Sequence, residues 1–139
     1  MLDGNAPHIE LTQPAALLAQ VRPGDYVAIQ AYVRSDDAGL AEALEAVRER
    51  IRVACTVATT MGYGPRYLHS TGQFHKGGPP TGVFLQVVGD DAVDVPIPGR
   101  PFGFAGLIHA QADGDLAALL HHGLRAGRVD LMDLLGWSA

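Results

Sequence analysis

Tyr26-Val27-Ala28-Ile29-Gln30-Ala31-Tyr32-Val33 is a nearly continuous apolar run with β-branched and aromatic members, the composition of a sheet strand covered on both faces. The turn Arg22-Pro23-Gly24-Asp25 introduces it, because proline presets φ and glycine accepts positive φ. Upstream, Thr12 to Gln20 reads as a short helical entry. Downstream, Ser35, Asp36 and Asp37 supply helix N-cap candidates. Leu40, Leu44, Val47, Ile51, Ala54, Cys55 and Ala58 then recur at three- and four-residue steps, the period of an amphipathic helix. Glu42, Glu45, Arg48, Glu49 and Arg52 take its other face as solvated ion pairs of little energetic weight. Gly62 and Gly64-Pro65 are expected to stop this helix.

A second strand is expected at Gly82-Val83-Phe84-Leu85-Gln86-Val87-Val88, closed by Gly89-Asp90-Asp91. Asp94 to Pro101 is too proline-rich for a central strand. A second long helix carries Leu107, Ile108, Gln111, Leu116, Leu119 and Leu120, is weakened by Gly114, and ends at His121-His122-Gly123. Arg128 to Leu134 reads as a last strand. This alternation predicts an α/β fold, a mostly parallel sheet with helices on both faces in a three-layer α/β/α arrangement. Ligands in such sheets sit beyond the carboxyl ends of the strands. The connection 62–81 exceeds the usual helix-to-strand length of about 2–6 residues, which marks it as functional.

The composition narrows the alternatives. The chain has 139 residues, 47% of them hydrophobic, enough for one globular domain over 1–139 with a core of its own. No internal repeat or interdomain linker breaks it. One cysteine, Cys55, permits no internal disulfide, and together with a start lacking a basic-plus-apolar leader it points to the cytoplasm. No apolar run approaches the roughly 20 residues of a membrane span. Ten basic residues scattered among fifteen acidic ones give a net charge of −5, which argues against nucleic acid as a partner.

The chemistry is expected in Tyr67 to Pro79. This stretch holds the only lysine, Lys76, two of the six histidines, His69 and His75, and the pair Ser70-Thr71, among glycines. Histidine exchanges protons near neutral pH, lysine supplies a positive charge, and glycine lets backbone N–H groups approach an oxyanion. These residues describe a site for a small polar anion, phosphorylated or carboxylated. No metal or cofactor is expected: His69 and His75 lack a carboxylate or cysteine at matching spacing, and His121 and His122, adjacent on a helix, diverge.

The same residues carry a family resemblance. Arg22 to Ala28 with Gln30-Ala31-Tyr32, then Ala58 to Pro79, and Thr81 to Gln86 resemble the C-terminal sugar isomerase (SIS) domain of bifunctional bacterial transaldolase/glucose-6-phosphate isomerase, within the phosphoglucose isomerase family. Ile97-Pro98-Gly99, Ala110-Gln111-Ala112 and Gly114-Asp115-Leu116 extend the likeness, which spans about residues 20–131. It implies an SIS-like domain and aldose–ketose isomerase chemistry on a sugar phosphate. Such a reaction needs a phosphate anchor, ring opening by proton transfer, and proton movement between C1 and C2 through an enediolate.

By this resemblance His75 assists ring opening, displaced by one residue because Phe74 follows Gly72-Gln73. Lys76 holds a ring hydroxyl or the oxyanion, Thr71 and Gln73 orient the sugar, and Arg66 clamps the phosphate or enediolate with its planar fork. His69, Ser70 and Gly72 complete the binding set. The family's glutamate base and serine-rich phosphate loop lie N-terminal to the matched stretch, and this chain has only Glu10, Glu42, Glu45 and Glu49. Three readings therefore stand: a stand-alone isomerase-like enzyme acting on a sugar phosphate or a related small polar substrate, a non-catalytic sugar-phosphate-binding subunit that completes its site with a partner chain or its own dimer, or a regulatory or structural relic that binds a sugar phosphate without chemistry. Leu134-Leu135-Gly136-Trp137 is a candidate dimer contact.

Overall fold

The computed structural model describes residues 10–33, 38–63, 81–89 and 104–138. Pro14–Leu18 forms α1, Tyr26–Tyr32 β1, Ala38–Cys55 α2 and Ala58–Tyr63 β2. Gly82–Val88 forms β3, Phe104–His121 α3, Arg125–Val129 β4 and Leu131–Leu135 α4. The four strands make one sheet in the order β2-β1-β3-β4, every pair parallel. Helices cover both faces, so the expected three-layer α/β/α architecture is the one observed.

The two-residue period of the strands sorts side chains between the layers. On β1, Val27, Ile29 and Ala31 face one way, joined by Val83, Leu85 and Val87 of β3. Against them pack Leu17 and Leu18 of α1, Leu44, Val47 and Ile51 of α2, and Leu134 of α4. The other face carries Ala28 and Phe84 beneath Leu119 of α3, and Tyr32 against Ala112. Double coverage explains why β1 and β3 read as unbroken apolar runs.

Two close fits fix the amino edge. Asp25 N donates to Arg22 O at 3.0 Å with Gly24 at φ +90°, the Pro-Gly turn expected from the sequence. Gly82 begins β3 beneath the rings of Tyr26 and Phe84, which meet edge to face at 5.9 Å. A Cβ on Gly82 would lie 2.7 Å from both rings.

The chain departs from the sequence-based expectation in two places. The first long helix ends at Cys55 rather than running through Ala58 to Gly62. Thr56 takes φ +55° and donates its N–H to Arg52 O at 2.9 Å, a left-handed C-terminal stop supplied by a residue other than glycine. Ala58–Tyr63 is instead the edge strand β2, so the long connection joins two strands rather than a helix and a strand. The last strand also sits earlier, at Arg125–Val129. Asp130 Oδ2 accepts from Asp133 N at 3.1 Å, capping α4 where a strand was expected. Leu120, assigned to the apolar face of α3, is 52% exposed.

Ala54, assigned to the apolar face of α2, is also exposed, and the N-cap candidates Ser35 to Asp37 and the proline-rich Asp94 to Pro101 lie outside the described residues. Glu45 pairs with Arg48, and Glu49 with Arg52, on the solvent face of α2. Arg50 donates to the carbonyls of Leu135 and Trp137, holding the C-terminal end of α4 against α2. Trp137 packs on the core from the edge. No helix among the described residues is long and apolar enough to cross a membrane.

Candidate functional site

From β1 the chain moves outward to β2, then returns across β1 to β3 on its other side. The two excursions diverge at the carboxyl ends of β1 and β3, the switch point where open parallel sheets bind ligands. Tyr32 and Val88, register partners, close these strands. Gly89 N donates to Tyr32 O at 3.0 Å and carries the pairing one residue further.

A polar row crosses the sheet just inside this edge. Gln30, Gln86 and Arg128 are register neighbours on β1, β3 and β4, and their even numbering puts them on the α3 face. Gln86 is fully buried. Its Nε2 donates to Ala112 O at 2.8 Å, and its Oε1 accepts from Arg128 Nε at 2.8 Å. Arg128 Nη2 continues to Asp113 Oδ1 at 2.7 Å, so one guanidinium ties β3, β4 and α3 together through charge-assisted bonds. Gln30 is only 2% exposed, and its Oε1 has no hydrogen-bond partner among the described residues.

Tyr32 lies one step nearer the carboxyl edge on the same face. Its hydroxyl donates to Asp115 Oδ2 at 3.0 Å, and both residues are buried. Gln111, one helical turn from Asp115, has a buried Oε1 likewise without a partner among the described residues. Gln30, Tyr32, Gln111 and Asp115 therefore occupy the facing surfaces of β1 and α3 beside the switch point.

On the opposite face, Tyr63 ends β2 with its hydroxyl buried and unpartnered among the described residues. Burial, and after it the negative charge of Glu45, pushes this phenol's pKa up. Arg48 grips Glu45 and reaches Thr59 Oγ1 at 3.0 Å. Burial also pushes the Cys55 thiol up, and Cys55 packs against the core rather than forming an activated nucleophile.

The residues assigned from the sequence to catalysis and binding, His75, Lys76, Arg66, His69, Ser70, Thr71, Gly72 and Gln73, lie outside the described residues. His121 and His122 are exposed at the end of α3. The sequence reading missed Gln30, Tyr32, Gln86, Asp115 and Arg128 as a group. One signal was available: Ala-Ile-Gln-Ala-Tyr and Phe-Leu-Gln-Val-Val each interrupt a buried strand with glutamine at the same step.

No protein-family model matches this chain, and no curated protein matches it in sequence. Among solved structures it is similar to a hypothetical protein from Thermus thermophilus, with a TM-score of 0.69 and 18% identity. The match covers 88% of this chain and 36% of the Thermus chain, so this chain spans about a third of that protein's length. A likeness at that identity establishes the α/β fold alone.

Proposed function

We propose that this chain is an SIS-like domain of the phosphoglucose isomerase type that binds a sugar phosphate and assists proton transfer on it through His75 and Lys76. The observation that carries the reading is the strand order. It creates a ligand-binding switch point between β1 and β3, and the segment bearing His69 to Lys76 departs from the carboxyl end of the neighbouring strand β2. The sequence resemblance over Ala58 to Pro79 supplies the chemical class: His75 as the proton carrier for ring opening, Lys76 and Arg66 as anion partners, and Thr71 and Gln73 as hydroxyl contacts.

One observation favours the second reading, a binding subunit whose catalytic base comes from another chain or from its own dimer. Of the four glutamates, Glu45 and Glu49 are held by Arg48 and Arg52, while Glu10 and Glu42 are exposed. None is placed on the α3 face beside the switch point.

Calorimetry of the purified chain against glucose 6-phosphate, fructose 6-phosphate and 6-phosphogluconate tests the proposal, with His75→Ala and Lys76→Ala as controls. Binding that weakens about tenfold or more in the variants, near 1.4 kcal/mol, is the expected result. Absence of binding at millimolar ligand refutes a self-sufficient sugar-phosphate site. Isomerase turnover by the chain alone selects the enzyme. Binding without turnover, with a dimeric mass or a requirement for an added partner, selects the subunit.

A further inference from the structure

Gln30 and Gln86 occupy the same step of adjacent central strands, on the same face, and their difference is informative. Gln86 uses both ends of its amide, on Ala112 O and Arg128 Nε. Gln30 is equally buried, yet its Oε1 meets no donor among the described residues. A buried acceptor without a donor is costly, and a strand flanked by Ile29 and Ala31 would be better served there by an aliphatic residue. Gln111 repeats the anomaly on the facing helix. The two lie at one level: Gln86, in register with Gln30, reaches the carbonyl of Ala112, the residue next to Gln111. Polar groups left under-satisfied at the ligand-binding end of a fold are where stability is given up for function.

We infer that Gln30 and Gln111 form an acceptor pair that receives the hydroxyl groups of a neutral polyhydroxylated ligand. If the sugar-phosphate reading above holds, on which this assignment of ends rests, they take the sugar end and not the phosphate. The local chemistry sets that polarity. Both open atoms are carbonyl oxygens, which accept and cannot donate; the ionisable groups on this face are Asp115, bonded to Tyr32, and Arg128, whose guanidinium is already taken up by Gln86 and Asp113. A phosphate would meet acceptors and negative charge. One carboxylate and two amide oxygens also fall short of the six to eight oxygen ligands of a calcium ion. A hydroxyl supplies the missing donor and keeps its own lone pairs for groups nearer the edge.

The test uses Gln30→Leu, Gln30→Met and Gln111→Leu in the full chain, read by thermal melting and by calorimetry with fructose 6-phosphate and inorganic phosphate. The expected result is a melting temperature equal to or above wild type in at least one Gln30 variant. Fructose 6-phosphate affinity falls about tenfold, while inorganic phosphate competes as in wild type. Full retention of fructose 6-phosphate affinity in the folded variants overturns the inference and leaves the sugar-phosphate reading standing. If wild type does not bind fructose 6-phosphate, that reading fails, and sorbitol is titrated into 15N-labelled protein instead. A shift of the Gln30 and Gln111 side-chain amides upholds the hydroxyl site without the phosphate, and unmoved resonances overturn it.

Discussion

Tyr32 Oη donates a 3.0 Å hydrogen bond to Asp115 Oδ2, across 83 residues of chain and between two buried side chains. The bond ties the carboxyl end of β1 to α3. Tyr32→Phe keeps the ring against Ala112 and removes a donor from a buried carboxylate. The expected cost is about 1–3 kcal/mol, measured by urea denaturation. A loss below about 0.5 kcal/mol would mean that Asp115 is satisfied without Tyr32.

Gly82 is set by close approach rather than by φ. Its added Cβ would meet the Tyr26 and Phe84 rings at 2.7 Å, and both rings are held by their edge-to-face contact. Gly82→Ala should cost about 1–3 kcal/mol, as overpacking typically does. A Tyr26→Ala background should relieve much of that penalty, because half of the clash disappears. Equal costs in both backgrounds would place the strain elsewhere.

Thr56 ends α2 in the left-handed region, where a β-branched residue is strained and glycine is not. Its side chain makes no hydrogen bond with the rest of the described chain, and the residue is exposed. Thr56→Gly is therefore expected to raise stability by about 0.5–1 kcal/mol, seen as a higher urea midpoint with unchanged slope. A drop in stability would show that the strained turn is not what limits this helix end.

The Asp25 carboxyl is held below its ordinary 3.8 first by the hydrogen bond from Arg125, then by the backbone N–H of Arg22. A carboxylate whose folded pKa is depressed contributes stability above its unfolded value and loses it as pH falls through the folded one. Wild type should lose stability more steeply than Asp25→Asn between about pH 5 and about pH 2. Thermal melts across that window measure it, and parallel curves would remove the Asp25–Arg125 pair as the cause. Glu45 and Glu49, lowered by Arg48 and Arg52 on the solvent face of α2, act in the same direction.

Several features were legible before any fold was in view, because each rests on local chemistry. The Arg22-Pro23-Gly24-Asp25 turn follows from proline and glycine dihedrals, and β3 at Gly82–Val88 from its apolar run. The same is true of the faces of α2 that hold Leu44, Val47 and Ile51 inside and the Glu–Arg pairs outside. Where local signals were weak, the sequence reading went astray. Ala58–Tyr63 lies at the sheet edge, where every residue stays exposed or half-buried, so its threonines and glycine carry no run of apolar residues. β4 contains Arg125, Gly127 and Arg128, a poor strand by composition that is held by pairing to β3 and by the bonds of its arginines.

By itself, then, the sequence determined the α/β class, the two central strands and the two long helices. These depend on dihedral preference and on hydrophobic period, which neighbours in the chain decide. Only the tertiary structure decided the strand order, the position of the switch point between β1 and β3, and the pairing of Tyr32 with Asp115. Those relationships join residues far apart in the chain, and nothing in the local pattern of Ala-Ile-Gln-Ala-Tyr says which helix will face it. The physical reason is that register and layer assignment are fixed by burying both faces of a sheet at once, a condition that exists only when the whole chain has folded.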